Sequence, residues 1–171
     1  MAVTTEYLGR DQGNTNSVTR EYTVASGATV YAGEAVYLDG GFVTSASIAG
    51  KRILGTVVGG DTQDLKRSYS GSATGDAGGT VKVLVNIERD ARYLMKADNV
   101  GTTLAVTHEG TYFDLVGNPG SQLVDSSSTS ATSGQLVLIK FNPGIRGTDG
   151  TYGIFCISEN QHNVDSDVDA V

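Results

Sequence analysis

Two histidines, one cysteine and a scatter of carboxylates are the side chains here that carry chemistry, and their spacing decides what they can do. His108 stands beside Glu109 and Gly110, where a loop is expected, and His162 lies in a polar stretch. Zinc needs three or four ligands gathered at short spacing or by the fold, and neither histidine has a second ligand near it. Both read as exposed or hydrogen-bonded side chains. Asp165-x-Asp167-x-Asp169 begins like the ligand run of a calcium loop. The sixth position lacks the glycine such a loop turns on, and no bidentate Glu follows, so an acidic tail is the better reading. Asp61, Asp64 and Asp76 are spread along one loop and form no acid–base pair. Cys156 sits in the strand-like run Tyr-Gly-Ile-Phe-Cys-Ile-Ser. It is expected in a core beside Ile154 or against a neighbouring sheet, because a thiol without a histidine and an electropositive setting behaves as a small hydrophobe. The glycine clusters lack the Gly-Lys-Ser/Thr ending of a phosphate loop, and no Gly-x-Ser-x-Gly element is present. The sequence therefore predicts no enzyme, no metal and no cofactor.

The elements that would position any surface are strands. In 171 residues the chain has 23 Gly, 2 Pro and no Trp, and long helical patterns are hard to find. A chain of that length suits one compact domain with a real core. Ala35–Leu38 and Phe42–Thr44 flank Asp39-Gly40-Gly41, residues that tolerate positive φ, and so predict a hairpin. Ile53–Val58 predicts a further strand. Thr80–Glu88 alternates, with Val81, Val83, Val85 and Ile87 on one face and Lys82, Leu84, Asn86 and Glu88 on a mixed, partly wet one. Thr19–Val24, Thr111–Val116, Gln122–Asp125, Gln135–Phe141 and Tyr152–Ser158 are further candidates. Arg89–Asp98 and Val100–Thr107 read equally as short helix or extended chain. Asp61–Gly79 is expected to be a long surface loop and Ser126–Ser133 an exposed hairpin tip. About eight to ten strands point to an all-β sandwich or barrel. It divides into an N-terminal arm (1–24), a β domain (25–159) and an acidic tail (160–171).

The formal charge of −7, from 19 acidic against 12 basic side chains, argues against nucleic acid and anionic membrane as partners, since both want a cationic face. No apolar run approaches the roughly 20 residues of a membrane helix. The opening residues lack a basic segment followed by an apolar core, so synthesis and folding in the cytoplasm are expected. Against the acidic background, Lys51-Arg52 and Lys66-Arg67 are local basic spots suited to steering an acidic partner surface. Tyr7, Leu8 and Arg10 lie in the polar, turn-rich arm Met1–Ser17, which has little to anchor it in a core. Tyr22, Tyr69 and Tyr112 read instead as half-buried strand residues. The seven partner-binding candidates are therefore Tyr7, Leu8, Arg10, Lys51, Arg52, Lys66 and Arg67.

Three stretches together resemble the head decoration, or capsid cement, proteins of bacteriophages. They are Ser26–Val30 leading into Gly33-Glu34-Ala35-Val36-Tyr37-Leu38, then Ile53-Leu54-Gly55-Thr56-Val57-Val58, and Thr80–Ile87 followed by Gly134–Pro143. The resemblance implies a β-tulip-like sandwich or barrel on the capsid exterior of the virion. Its partner would be the major capsid protein, its self-association a homotrimer, and its work the reinforcement of the expanded shell where capsid proteins meet. A second reading is a carbohydrate- or receptor-binding module of a phage tail or fibre, although the missing Trp removes the usual aromatic platform.

Overall fold

The computed structural model describes residues 6–9, 18–46, 50–59, 72–141 and 151–158. Thirteen strands run through them: β1 (Glu6–Gly9), β2 (Thr19–Thr23), β3 (Thr29–Tyr31), β4 (Ala35–Asp39), β5 (Phe42–Ser45), β6 (Gly55–Gly59), β7 (Ser72–Thr74), β8 (Lys82–Asn86), β9 (Arg92–Lys96), β10 (Tyr112–Val116), β11 (Leu123–Ser130), β12 (Leu136–Phe141) and β13 (Tyr152–Ile157). A single 3₁₀ turn, Val106–His108, is the only helical element among the described residues. The fold is all-β. Its ladders are antiparallel and build three sheets that pack together: a six-stranded one in the order β1-β9-β13-β12-β10-β11, a five-stranded one in the order β2-β8-β6-β4-β5, and the pair β3-β7.

The β4–β5 hairpin forms where the sequence placed it. Asp39 pairs with Phe42, and Gly40 and Gly41 both carry positive φ, which suits the twist of a tight hairpin. Both large sheets also curl. In the six-stranded sheet a parallel bridge joins Ala97, just past β9, to Val124 in β11. In the five-stranded sheet Val24, just past β2, bridges Val43 in β5 in the same way, and Ala25 donates to the Val43 carbonyl. Each roll has its own apolar cluster. Tyr93, Met95, Phe113, Leu115, Leu136, Leu138, Phe155 and Ile157 fill the first, together with Ala35, Tyr37, Ala46 and Ile53 from the second sheet's strands and connections. Val36, Val43, Val57, Val83, Val85 and Ile87 fill the second, with Val30 of β3 and Ala73 of β7 packed onto them.

Several strands fall outside the sequence reading. β1, which no candidate strand covered, forms an edge of the six-stranded sheet, whereas β2, the edge of the five-stranded one, falls within the expected strand Thr19–Val24. The expected loop 61–79 contains β7, which pairs with β3. β11 runs on through the serines to Ser130, and their hydroxyls find partners within the protein: Ser126 on Asp98, Ser127 on Asp125 and Ser128 on the Asp125 carbonyl. Cys156 is half-buried with Ile154 on the outer side of β13, while Phe155 and Ile157 take the interior. The two-residue period leaves room in the core for one set only, and the larger ring occupies it. Along β8 and the two residues after it Val83, Val85 and Ile87 are buried as expected, yet Asn86 and Glu88 on the mixed face are buried too.

Candidate interaction surface and its buried supports

Of the seven candidates for partner contact, Arg10, Lys66 and Arg67 lie outside the described residues. Tyr7 and Leu8 belong to β1. Its backbone pairs with β9, Glu6 opposite Leu94, Tyr7 opposite Tyr93 and Gly9 opposite Arg92, so Leu8 falls at the irregularity in the ladder. Among the described residues β1 has a neighbour on one side only and forms the edge of the six-stranded sheet. Lys51 and Arg52 are both exposed in the connection from β5 to β6. The Lys51 ammonium stands 5.3 Å from the centre of the Tyr37 ring, and the Lys51 carbonyl accepts from Gln135 Nε2 at 2.7 Å. The same Gln135 accepts from the Leu115 N–H at 2.8 Å, so one buried amide ties β10 to the basic connection.

The supports behind these surfaces are buried polar groups that the sequence reading did not single out. Glu34, in the turn from β3 to β4, is 1% exposed. Its carboxylate accepts from the Tyr31 N–H at 2.8 Å, from the Ser45 hydroxyl at 2.5 Å and from the Gly120 N–H at 3.2 Å. Burial pushes its carboxyl above the ordinary carboxylate range, and those three donors offset only part of that. Gln122 completes the node. Its Oε1 accepts from the Ala35 N–H and its Nε2 donates to the Ala35 carbonyl, both at 2.8 Å, as a neighbouring strand would do. Nε2 also lies 3.2 Å from the Ser45 hydroxyl. The turn between β10 and β11 is thereby fastened to the turn between β3 and β4. Gly120 has φ of +77°, and a Cβ there would come within 2.9 Å of the Tyr31 ring. The cue in sequence was a lone acid in Gly33-Glu34-Ala35-Val36, flanked by apolar chain.

A second carboxylate fastens the closure of the six-stranded roll. Asp98 Oδ1 accepts from the Val100 N–H, the Ser126 N–H and the Ser126 hydroxyl at 3.1, 3.1 and 2.7 Å. Partial burial works to raise its pKa, but these donors outweigh burial and hold it below the ordinary aspartate range. Asp76 is fully exposed and is also held low, by the Thr80 hydroxyl and N–H. His108 takes the Ala105 N–H on Nδ1 at 3.1 Å and meets the edge of Phe113, the satisfied loop role expected of it.

Among the described residues no three His, Cys, Asp or Glu side chains gather where a metal ion would sit. A shallow groove of about 300 Å³ is lined by Val24, Ser26, Phe42, Asp76, Gly78 and Gly79, and Phe42 is 46% exposed at its wall. What the arrangement offers is recognition by surface: β1 as a sheet edge among the described residues, a basic pair of which Lys51 lies over the Tyr37 ring, and an exposed aromatic in one groove with a carboxylate. Comparison with protein-family models and with curated proteins finds no match for this chain.

Proposed function

We propose that this chain is a structural virion protein that binds the outer surface of an expanded capsid where major capsid proteins meet, and stabilises the shell. The observation that carries the reading is the position of β1 as the edge of the six-stranded sheet, within the N-terminal segment expected to meet the partner. A sheet edge presents a row of backbone donors and acceptors to which another chain can add. Behind it, the Glu34–Gln122 node and the Asp98 cluster hold the β framework, which suits a protein whose product is a fixed surface. The resemblance of residues 26–38, 53–58, and 80–87 with 134–143, to phage decoration proteins supports the same reading. Binding only the expanded state would stabilise that state by mass action, and repetition over many copies makes modest affinity sufficient.

The test is co-sedimentation of the purified chain with expanded, undecorated heads and, in parallel, with unexpanded procapsids. Saturable binding to expanded heads alone, with a raised thermal transition of the heads, is expected. Removal of Met1–Ser17 is expected to abolish it while the remaining chain keeps its own cooperative unfolding. Binding to neither particle overturns the proposal. The groove beside Phe42 favours the second reading, a glycan-binding tail module, and a glycan array would then be the informative experiment.

A further inference from the structure

In the centre of the five-stranded sheet, two polar side chains face each other without meeting. Thr56 of β6 is directly opposite Asn86 of β8, and Thr56 is also opposite Ala35 of β4. Residues opposite each other in an antiparallel ladder point to the same side. Ala35 belongs to the cluster of the six-stranded roll, so Thr56 and Asn86 are turned toward that roll, away from the valine interior. Thr56 is 3% exposed and Asn86 not at all. Neither Thr56 Oγ1 nor Asn86 Nδ2 has a hydrogen-bond partner among the described residues. The orientation of the amide is fixed, because Asn86 Oδ1 accepts from the Glu88 N–H at 3.1 Å and a turned amide would set donor against donor. The –NH₂ group therefore has to aim elsewhere.

We infer that Thr56 and Asn86 form an internal binding site for one ordered water molecule. That water accepts from Asn86 Nδ2 and donates to Thr56 Oγ1. This supplies the two polar partners that a buried water requires, and relieves both groups of an otherwise unmade hydrogen bond. The bridge takes the place of a direct cross-strand pair between β6 and β8. With both groups buried, the water exchanges when the sheets part, so its residence time reports the opening of the scaffold.

Water-to-protein cross-relaxation on the full chain in solution tests this directly. The Asn86 side-chain amide protons are expected to show a water cross-peak with the sign of a long-lived contact. Oxygen-17 relaxation dispersion is expected to count one fewer long-lived water in T56V than in the native chain, and the same number in T56S, which keeps the hydroxyl. A folded native chain whose Asn86 amide shows no long-lived water contact overturns the inference, as does an unchanged count in T56V. Should T56V fail to fold, the cross-peak of the native chain alone decides.

Discussion

The two rolled sheets solve the same geometrical problem with different materials. Each is drawn back on itself by one parallel bridge, Ala97 to Val124 in the six-stranded roll and Val24 to Val43 in the five-stranded one. The six-stranded roll is filled by rings and long side chains, with Phe113 and Phe155 edge to face at 5.8 Å, and its closure is held by the Asp98 carboxylate on Ser126 and Val100. The five-stranded roll is filled by valines, is covered by β3 and β7, and closes through backbone alone, with Ala25 donating to Val43. Large rings concentrate burial in a few positions, whereas valines spread it along every strand. One roll should therefore be fragile at single sites and pH-sensitive at its seam, and the other tolerant, with a seam made of backbone groups that do not titrate.

The largest effect should come from deleting a ring. Phe155 is fully buried, so F155A is expected to cost about 3–5 kcal/mol in chemical denaturation. V85A, at an equally buried site of the other roll, should cost roughly 1–3 kcal/mol. Equal losses would erase the distinction drawn between the two interiors.

Next comes the joint between them. Glu34 uses both carboxylate oxygens as acceptors, and Gln at that position turns one of them into a donor facing a donor. Whichever side the new –NH₂ takes, it faces a backbone N–H that cannot reverse, that of Tyr31 on one oxygen or of Gly120 on the other. E34Q is expected to cost about 1–3 kcal/mol, the penalty of one buried hydrogen bond left unmade. A loss below a few tenths would show that the joint is held by packing instead.

The same two carboxylates should respond to acid with opposite signs. Glu34 has its pKa raised by burial, so the folded state holds its proton more tightly than the unfolded chain does. Its contribution is complete below the ordinary value of 4.5 and is lost as pH rises through the higher folded value. Asp98 is held low, so its contribution is present above its ordinary 3.8 and is lost as pH falls through the lower folded value. In thermal melts across pH, E34Q should flatten the gain on acidification from neutrality toward 4.5, and D98N the loss below 3.8. A D98N profile that overlays the native one would remove the electrostatic seam from the account.

How much of this was legible in the sequence follows from the range of each interaction. The β4–β5 hairpin and the valine face of β8 depend on neighbours in the chain and on a two-residue period, and both were read correctly. β7 was missed because three residues in a Gly- and Ser-rich stretch carry no period, and only the pairing with β3 makes them a strand. Ser126 was read as part of an exposed tip because hydroxyls usually face water. Asp98, 28 residues earlier, gives it a buried partner. Glu34 and Gln122 lay furthest out of reach. The bonds from Glu34 to Gly120 and from Gln122 to Ala35 span 86 and 87 residues, and nothing local marks Gln122 as a surrogate strand. Of the proposed contact residues, Tyr7 and Leu8 lie on a sheet edge at β1, and Lys51 and Arg52 in the connection from β5 to β6, with Lys51 over Tyr37.

The smallest expected effect concerns Lys51, and it separates support from recognition. Its ammonium over the Tyr37 ring is an exposed cation–π contact, so K51A should lower stability by only about 0.5–1 kcal/mol. The tie to the other roll runs through the Lys51 carbonyl and Gln135, and survives any change of side chain at position 51. K51M keeps an apolar stem over the ring and removes the charge. If Lys51 meets an acidic patch of the shell, K51M should bind expanded heads more weakly, with the loss growing at low ionic strength and fading as salt screens the attraction. Unchanged head binding by K51M at low salt would assign Lys51 to the lid of Tyr37 alone, and would leave the β1 edge as the contact to pursue.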